Sequence, residues 1–252
     1  MRFAVVGAGR MGTAMSRAFR EAGLSVTGPL GHGADGAYAD VVFLCVPDRA
    51  IAEAAAIVKP GRIVGHCSGA TSLAALGDHE GFSLHPLMTV SGDAEVDFIG
   101  VPAAVAGNTE SALAIATSLA TQLGMIPFAV PDDKRDLYHA AASMASNYLV
   151  TLEAAAEALL RRAVPSADRT LLAPLVWAAT DNWARLGASR ALTGPIVRGD
   201  AETVERQRAA VSQYATELLP LWEALTDATA ALAKSGAREA TSQRDAEGET
   251  AA

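Results

Sequence analysis

The sequence predicts an α/β fold in which an N-terminal, doubly wound parallel sheet is followed by an all-α C-terminal domain. Two observations support this prediction. From Arg2 to about Val130, short apolar runs alternate with helical, alanine-rich stretches, and such alternation is typical of a mostly parallel sheet covered by helices on both faces. From Asp132 onward the strand pattern disappears and only helical patterns remain. The boundary between the two regions is therefore expected near Pro131.

The predicted strands and helices follow the chain in order. The strands are the runs RFAVVG, SVTGPL, DVVFLCVP, RIVGHC, FSLHP, VPAAVAG and MIPFAV, which are short and apolar. The later helices are expected at about 133–162, 167–188 and 200–234, with Pro174 and Pro220 breaking or kinking two of them. We therefore divide the chain into a sheet domain over 1–130, a helical domain over 131–235 and a disordered tail over 236–252, which is polar and lacks apolar periodicity.

The composition narrows the classes of partner. The chain has 252 residues, of which 50% are hydrophobic, enough to bury a sizeable core. Its net charge of −8 and its lack of a Lys/Arg run argue against nucleic-acid and membrane partners, which need a basic surface, and favour a small-molecule substrate. Cys45 and Cys67 lack metal-ligand spacing, so no metal site is predicted. With no signal peptide before the first strand and no apolar run of ~18 residues, a cytoplasmic protein is expected.

A glycine-rich turn follows the first strand and opens the first helix, in the sequence AVVGAGRMGTAM. In this context Gly7 permits a tight turn, Gly9 lets the backbone approach a pyrophosphate, and Gly12 allows close packing of helix on strand. The pattern predicts a Rossmann-type dinucleotide-binding domain, although a tight turn without a ligand would look the same. The predicted cofactor-binding residues are Gly7, Ala8, Gly9, Arg10, Met11, Gly12, Val46, Pro47 and Ser68.

The end of the second strand leaves the choice between NAD and NADP open. An acidic residue about 20 positions after the glycines would bind the ribose of NAD, but this region reads GPLGHGADG and no acid closes the strand. No Arg or Lys lies between Glu21 and Arg49 either, so His32 is the only candidate cation for a 2′-phosphate. NADP is the preferred cofactor. The stretch 26–40 is also too short for a full helix and a third strand, which predicts an unusual or open adenosine site.

A polar stripe runs along the segment YHAAASMASNYLV, where His139, Ser143 and Asn147 recur at intervals of four. In an α-helix steps of four drift by only about 40° each, so the three side chains would share one face of an otherwise apolar, buried helix. Buried polar groups need partners. The stripe therefore either binds a ligand in a cleft between the domains or seals the domain interface by hydrogen bonds.

Two further residues are predicted to bind substrate. His85 lies at a strand end in FSLHP, aimed at the same crevice, although a histidine in this position can also be structural. Arg198, in the loop ALTGPIVRGD, could hold a substrate carboxylate or be an exposed loop charge. Ser68 could contact a ligand or cap the next helix, and Asp200 is expected to be an N-cap.

The stretches VVGAGRMGTAM, HCSGATSL, SLHPLMTV, YHAAASMASNYLVTL and ALTGPIVRGD together resemble a family of Rossmann-like proteins with a C-terminal helical domain of unknown function. This family is grouped with the deazaflavin-dependent NADP oxidoreductases and is similar in plan to pyrroline-5-carboxylate and ketopantoate reductases. The resemblance spans about residues 1 to 235. It implies a helical domain like the C-terminal one of 6-phosphogluconate dehydrogenase and a homodimer formed through that domain. It also implies NADP as the cofactor, with NAD as the alternative and a deazaflavin as a possible co-substrate.

The resemblance also bears on the polar stripe. In ketopantoate reductases a Lys on the first long helix after the Rossmann domain is followed by Asn residues four and eight positions later. The matching positions here are His139, Ser143 and Asn147, of which only the last keeps the pattern. Ketopantoate itself is therefore not implied as the substrate, whereas a proton donor and a hydrogen-bonding partner are retained.

The sequence thus predicts an NADP-dependent oxidoreductase that reduces a C=O or C=N group of a small acid. His139 would donate the proton, because an imidazole can give and recover a proton near neutral pH. Ser143 and Asn147 would orient the substrate. The alternative is a non-catalytic nucleotide-binding or regulatory protein, because the residues that normally select the cofactor are missing after the second strand.

Overall fold

The computed structural model describes residues 1–90 and 96–250, with side chains described as far as Gly236. The chain divides into two compact units, Met1–Tyr148 and Leu149–Ala252. No helix in the described part of the chain is long and apolar enough to cross a membrane.

The first unit contains a seven-stranded sheet in the order β2-β1-β3-β4-β5-β6-β7. Its strands are β1 (Arg2–Val6), β2 (Ser25–Leu30), β3 (Val41–Leu44), β4 (Ile63–His66), β5 (Gly81–Pro86), β6 (Pro102–Gly107) and β7 (Ile126–Ala129). Neighbouring strands are parallel except for β5 and β6, which are antiparallel. Each predicted strand is confirmed. Because β1 pairs with β2 on one side and β3 on the other, the winding of the chain reverses beside β1, where sheets of this type bind ligands.

The helices of the first unit are α1 (Arg10–Glu21), α2 (Ile51–Ile57), α3 (Glu110–Gln122) and α4 (Arg135–Ser143). The helix α1 turns a stripe containing Met15 and Phe19 onto the sheet, and both side chains are fully buried. The helix α3 begins after Thr109, whose Oγ1 accepts a hydrogen bond from the amide of Ala112 at 3.0 Å. A π-helix, Met144–Tyr148, follows α4.

Apolar layers cover both faces of the sheet. On one face Phe19, Phe43 and Phe82 pack in sequence, with ring centroids 5.9 Å apart at each step. On the other face a second cluster includes Leu44 and Ile51. All four residues of β3 are fully buried, which explains why the strand is continuously apolar and does not alternate.

The second unit is helical. It contains α5 (Leu149–Ala163), α6 (Ala173–Leu186), α7 (Ala188–Ala191), α8 (Ala201–Tyr214) and α9 (Leu219–Thr250). The predicted breaks at Pro174 and Pro220 are confirmed, because each proline is in the first turn of a helix, where its missing N–H costs nothing. Asp200 caps α8 as predicted, accepting a hydrogen bond from the amide of Thr203 at 3.0 Å.

The structure differs from the sequence in where it divides the chain. The division falls after Tyr148 and not near Pro131, because α4 is tied to the sheet by the buried side chain of Arg135. The backbone of α9 continues to Thr250, where a disordered tail was predicted from residue 236. That segment contains no proline and several Ala, Glu and Arg residues, which are compatible with a helix. Residues 251–252 lie outside the described part of the chain.

The predicted buried helix over 133–162 is wrong in two respects. It is interrupted by the π-helix, and much of its apolar surface is exposed in the single chain, where Leu137 is 72%, Met144 66% and Tyr148 63% exposed. The apolar composition of this segment does not reflect burial within one chain.

Candidate functional site

The predicted cofactor and substrate residues of the first unit lie along one edge of the sheet. Because β1, β3, β4 and β5 are parallel, their carboxyl ends meet at that edge. Gly7 follows β1, Val46 and Pro47 follow β3, Ser68 follows β4, and His85 lies near the end of β5. The arrangement matches the crevice in which doubly wound sheets bind their ligands.

Two glycines of the turn are required by the fold itself. Gly7 has φ of +113°, and a Cβ there would collide with the carbonyl oxygen of Cys45. A Cβ at Gly12 would collide with the carbonyl oxygen of Gly7. These close approaches hold the start of α1 against β1 and β3, as the sequence predicts.

Gly9 differs because nothing lies within 4 Å of the position its Cβ would occupy. It precedes the first residue of α1, and no side chain caps this helix. The first amide N–H groups of a helix have no partner within it, and they carry the positive end of the helix dipole. The turn therefore presents amide donors and open space to an anion, and it fits the pyrophosphate of a dinucleotide. Ala8 and Arg10 are exposed beside it, whereas Met11 packs partly against the core.

The adenosine end of the crevice is as short as the sequence predicts. Residues 31–40, which follow β2, form neither helix nor strand. In their place His32 and Ala34 line a small pocket together with Val46, Ala50 and Glu53. The imidazole of His32 is exposed at this pocket.

Ser68 is a buried junction between two loops. Its hydroxyl donates to Oδ2 of Asp48 at 2.8 Å and accepts hydrogen bonds from the amides of Ala70 (3.2 Å) and Thr71 (2.9 Å). These bonds close the turn after β4, so Ser68 does not cap a helix; the next helix, Leu73–Leu76, is capped by Ser72. Any contact between the hydroxyl of Ser68 and a cofactor would have to replace one of these bonds. The junction fixes the loop after β4 against the loop after β3.

His66 is a fully buried imidazole at the end of β4. Its Nδ1 accepts a hydrogen bond from the amide of Ser68 at 3.2 Å, so the proton of the neutral ring is on Nε2. That Nε2 has no hydrogen-bond partner among the described residues. Burial, and then the nearby charge of Arg135, lower the pKa of His66 to about 4, so the ring is neutral at pH 7.

Arg135 is the buried cation of the site, with only 3% of its surface exposed. Its Nε donates to Oδ1 of Asp132 at 2.9 Å, Nη1 donates to the carbonyl oxygen of Ser68 at 3.2 Å, and Nη2 donates to the hydroxyl of Ser83. The guanidinium therefore fastens the start of α4 to β5 and to the loop after β4. Sequence reasoning missed Arg135; the spacing of three between Asp132 and Arg135 at the start of a helix was the available signal.

His85 and Tyr138 form a direct hydrogen-bonded pair between β5 and α4. The Nδ1 of His85 is 2.7 Å from the phenolic oxygen of Tyr138. The ring of His139, the next residue on α4, lies with its centroid 6.4 Å from that of His85. Burial lowers the pKa of His85 to about 4 and raises the pKa of the half-buried Tyr138 to about 12. Both groups are neutral at pH 7. Sequence reasoning selected His85 and His139 but missed Tyr138.

The rest of the predicted stripe is only partly preserved. His139 and Ser143 lie four residues apart within α4 and share a face, and both are half-buried. Asn147 falls in the π-helix, where the turn is wider and the step-of-four argument does not apply, and it is exposed. Arg198 is exposed on the loop between α7 and α8 of the second unit.

Comparisons with known proteins agree with this architecture. A family model described as "Domain of unknown function (DUF2520)" matches residues 101–229, and no curated protein matches the chain. A candidate NADP oxidoreductase from Bacteroides fragilis is 19% identical, with a TM-score of 0.77 over 91% of this chain and 97% of the other. The protein TM1727 from Thermotoga maritima is 23% identical, with a TM-score of 0.76 over 92% of this chain and 98% of the other.

A pyrroline carboxylate reductase from Plasmodium falciparum, solved with NADP bound, is more distant. It is 13% identical, with a TM-score of 0.56 over 92% of this chain and 98% of the other. At such identities the likeness establishes a shared fold, and it confirms the predicted Rossmann-type sheet followed by a helical domain.

Proposed function

The chain belongs to the family defined by the domain of unknown function DUF2520, and we propose that it is an NADP-dependent oxidoreductase. Its reaction is the reduction of a C=O or C=N group of a small acid. One observation carries the proposal: the glycine turn with its open position at Gly9 and the cluster of His85, Tyr138 and His139 lie along the same edge of the sheet. Neighbours of this fold that are named for NADP support the choice of cofactor.

The residues of the first unit divide into two groups by what they can do. Gly7, Gly9 and the first amides of α1 would hold the pyrophosphate, and His32 would bind the 2′-phosphate of the adenosine half. The bound cofactor supplies the hydride. On β5 and α4, titratable side chains can supply the proton that a reduced oxygen or nitrogen requires, and His139 is the donor predicted from the sequence. Ser143 and Asn147 are proposed to orient the substrate, whereas the substrate-binding role of Arg198, which belongs to the second unit, stays a prediction from the sequence.

The Gly9→Ala variant tests the cofactor site. Because a Cβ at this position has open space within the protein, the variant should fold with an unchanged melting temperature. The same methyl group would lie where a pyrophosphate meets the amides of α1, so we expect the affinity for NADPH to fall at least ~10-fold. Fluorescence titration of both proteins with NADPH and, separately, with NADH measures the change.

Ser111→Ala is the control, because it makes a similar small change at an exposed position in the first turn of another helix, α3. It should leave both affinities and the melting temperature unchanged. If neither nucleotide binds the wild-type protein below about millimolar concentration, the oxidoreductase proposal falls and the turn has kept its shape without its ligand. Tight binding without oxidation of NADPH by keto acids, imino acids or a deazaflavin would favour the non-catalytic alternative.

We further propose that the protein is a homodimer formed through its helical unit. Large apolar side chains are exposed there in the single chain: Leu175 is 68%, Trp177 69% and Trp183 61% exposed. Several large exposed apolar side chains on one helix favour an interaction surface on this unit. Light scattering should give a mass near twice 25.9 kDa at micromolar concentration. Trp177→Glu should shift the mass toward the monomer, whereas Gln207→Glu on exposed α8 should not. A monomeric wild-type protein would contradict the proposal.

A further inference from the structure

The imidazole of His85 is fixed on two sides within the first unit. On one side it packs directly over Gly69, where an added Cβ would lie 2.8 Å from Cε1 and 3.0 Å from Nδ1 of the ring. On the other side Nδ1 is hydrogen-bonded to Tyr138 at 2.7 Å. Gly69 has no unusual φ, so its lack of a side chain is explained by the ring above it and not by its backbone conformation. The position of His85 is therefore set by both neighbours.

The elements that carry this pair are themselves fastened. The loop containing Gly69 is held by Ser68, whose hydroxyl bonds to Asp48, and the start of α4 is held by Arg135. Tyr138 lies one helical turn beyond Arg135. The hydrogen bond between His85 and Tyr138 thus joins two supported elements, which is the arrangement required of groups that must meet a substrate in fixed geometry.

The neutral imidazole of His85 has two tautomers with different consequences. If Nε2 carries the proton, Nδ1 accepts the hydroxyl proton of Tyr138 and that proton is turned away from any ligand. If Nδ1 carries the proton, it donates to the phenolic oxygen, and the hydroxyl proton of Tyr138 is available to another acceptor. Only the second tautomer makes Tyr138 a proton donor.

We propose that Tyr138 donates the proton to the substrate oxygen or nitrogen, that His85 restores it through Nδ1, and that Gly69 is a positioning residue for His85. This inference rests on the proposed oxidoreductase function. Tyr138, rather than the neighbouring His139, has a direct hydrogen bond to a second titratable group, so His85 can return a proton to it.

The proton and electron balance is simple. As hydride adds to the substrate carbon, the π-electron pair of the C=O or C=N bond moves to the heteroatom, which takes the hydroxyl proton of Tyr138. The phenolate takes the Nδ1 proton of His85 while Nε2 takes a proton from water, which leaves hydroxide in the solvent and the Nε2-protonated tautomer of His85. Before the next turnover the solvent takes the Nε2 proton and returns one to Nδ1, which restores the tautomer that makes Tyr138 a donor. The nearby charge of Arg135 lowers the pKa of Tyr138 against the effect of burial and stabilises the transient phenolate. One proton and one hydride are consumed for each C=O or C=N group reduced.

Tyr138→Phe is the central test, with NADPH oxidation measured using pyruvate, 1-pyrroline and a deazaflavin as probes. Loss of a positioned general acid should lower kcat by about 10²–10⁴-fold while the affinity for NADPH stays unchanged. Gly69→Ala should also lower kcat, because it displaces the imidazole while retaining both titratable groups. Asp136→Asn, at an exposed position on the same helix, is the control and should keep the wild-type activity. His139→Gln separates the two donors: if Tyr138→Phe were active and His139→Gln inactive, the inference would be overturned in favour of His139.

A second readout does not depend on turnover. The protein has five histidines, so ¹⁵N-histidine NMR can assign the tautomer of His85 in the wild-type protein. We expect Nδ1 to be protonated, with the signal shifted in Tyr138→Phe and in Gly69→Ala. A ring protonated at Nε2 would overturn the proton relay even if the protein is a reductase. Failure of the wild-type protein to bind NADPH, or to oxidise it with any probe, would overturn the proposed function and this inference with it.

Discussion

Arg135→Met is expected to lower the free energy of unfolding by about 3 kcal/mol, because it removes a buried cation and leaves the buried carbonyl of Ser68 and hydroxyl of Ser83 without their donor. The guanidinium is 3% exposed and donates to Asp132, Ser68 and Ser83. Methionine fills much of the volume but makes none of these bonds. The carboxylate of Asp132 keeps its bonds from Ser72 and from the amide of Leu73, which places the cost at the lower end of the range for breaking a buried ion pair.

Arg185→Met is the matched control. Arg185 also pairs with a nearby aspartate, at 3.1 Å from Asp181 on the same helix, but both side chains are well exposed, at 67% and 60%. An exposed pair of this kind contributes about 0.3–0.5 kcal/mol, so the control should change stability little. Urea denaturation followed by circular dichroism measures both variants. An equal, small loss in the two variants would show that Arg135 is not the fastening that its contacts indicate.

The sheet could be predicted from the sequence because its signals are local. Each strand is a short apolar run closed by turn residues, and the order of elements along the chain restricts a βα unit to few topologies. The glycines of the turn could also be predicted, because their spacing is a known pattern; Gly12 is required by a contact within the motif and Gly7 by Cys45, directly after β3. The absence of a helix and an additional strand between β2 and β3 could also be predicted, because residues 31–40 are too few to form them.

The chemistry of the site could be predicted only in part, because it depends on contacts between distant residues. His85 and Tyr138 are 53 positions apart, and Arg135 reaches Ser68 and Ser83 across 67 and 52 positions. A helical periodicity argument selects the residues of one helix face and cannot reveal which of them meets a strand end. It therefore selected His139 and passed over its neighbour Tyr138.

The polar stripe shows a different limit. The interval of four that links His139, Ser143 and Asn147 places them on one face only in an uninterrupted α-helix. The π-helix Met144–Tyr148 contains no proline or glycine from which it could have been predicted. An apolar composition also does not indicate whether a segment is buried within its own chain or against another one. Met144 and Tyr148 lie in this apolar segment, and within one chain they are 66% and 63% exposed.

The stability of the fold is expected to fall as the pH decreases from about 6.5 to 4, because His66 and His85 are both buried as neutral rings. In the folded state burial holds the pKa of His66 at about 4, against 6.5 for the free side chain. Below pH 6.5 the unfolded chain therefore binds a proton that the folded chain does not, so each step down in pH favours unfolding until the folded ring also titrates near pH 4. A difference of this size corresponds to about 3 kcal/mol lost across the window. His85, whose pKa is also lowered to about 4, adds to the effect in the same direction.

His66→Asn isolates the contribution of the buried ring. Asparagine can accept the hydrogen bond from the amide of Ser68 through its side-chain oxygen but cannot titrate, so the variant should lose roughly half of the pH dependence between 6.5 and 4. Its stability at pH 7 can differ from that of the wild type without affecting this comparison, because the measured quantity is the change in unfolding free energy across the window. Arg185→Met, which removes no group that titrates there, should retain the full wild-type slope. If His66→Asn retained that slope as well, the acid sensitivity would have to come from the carboxylates or from His85, and the imidazole of His66 would not be the buried neutral group that its surroundings indicate.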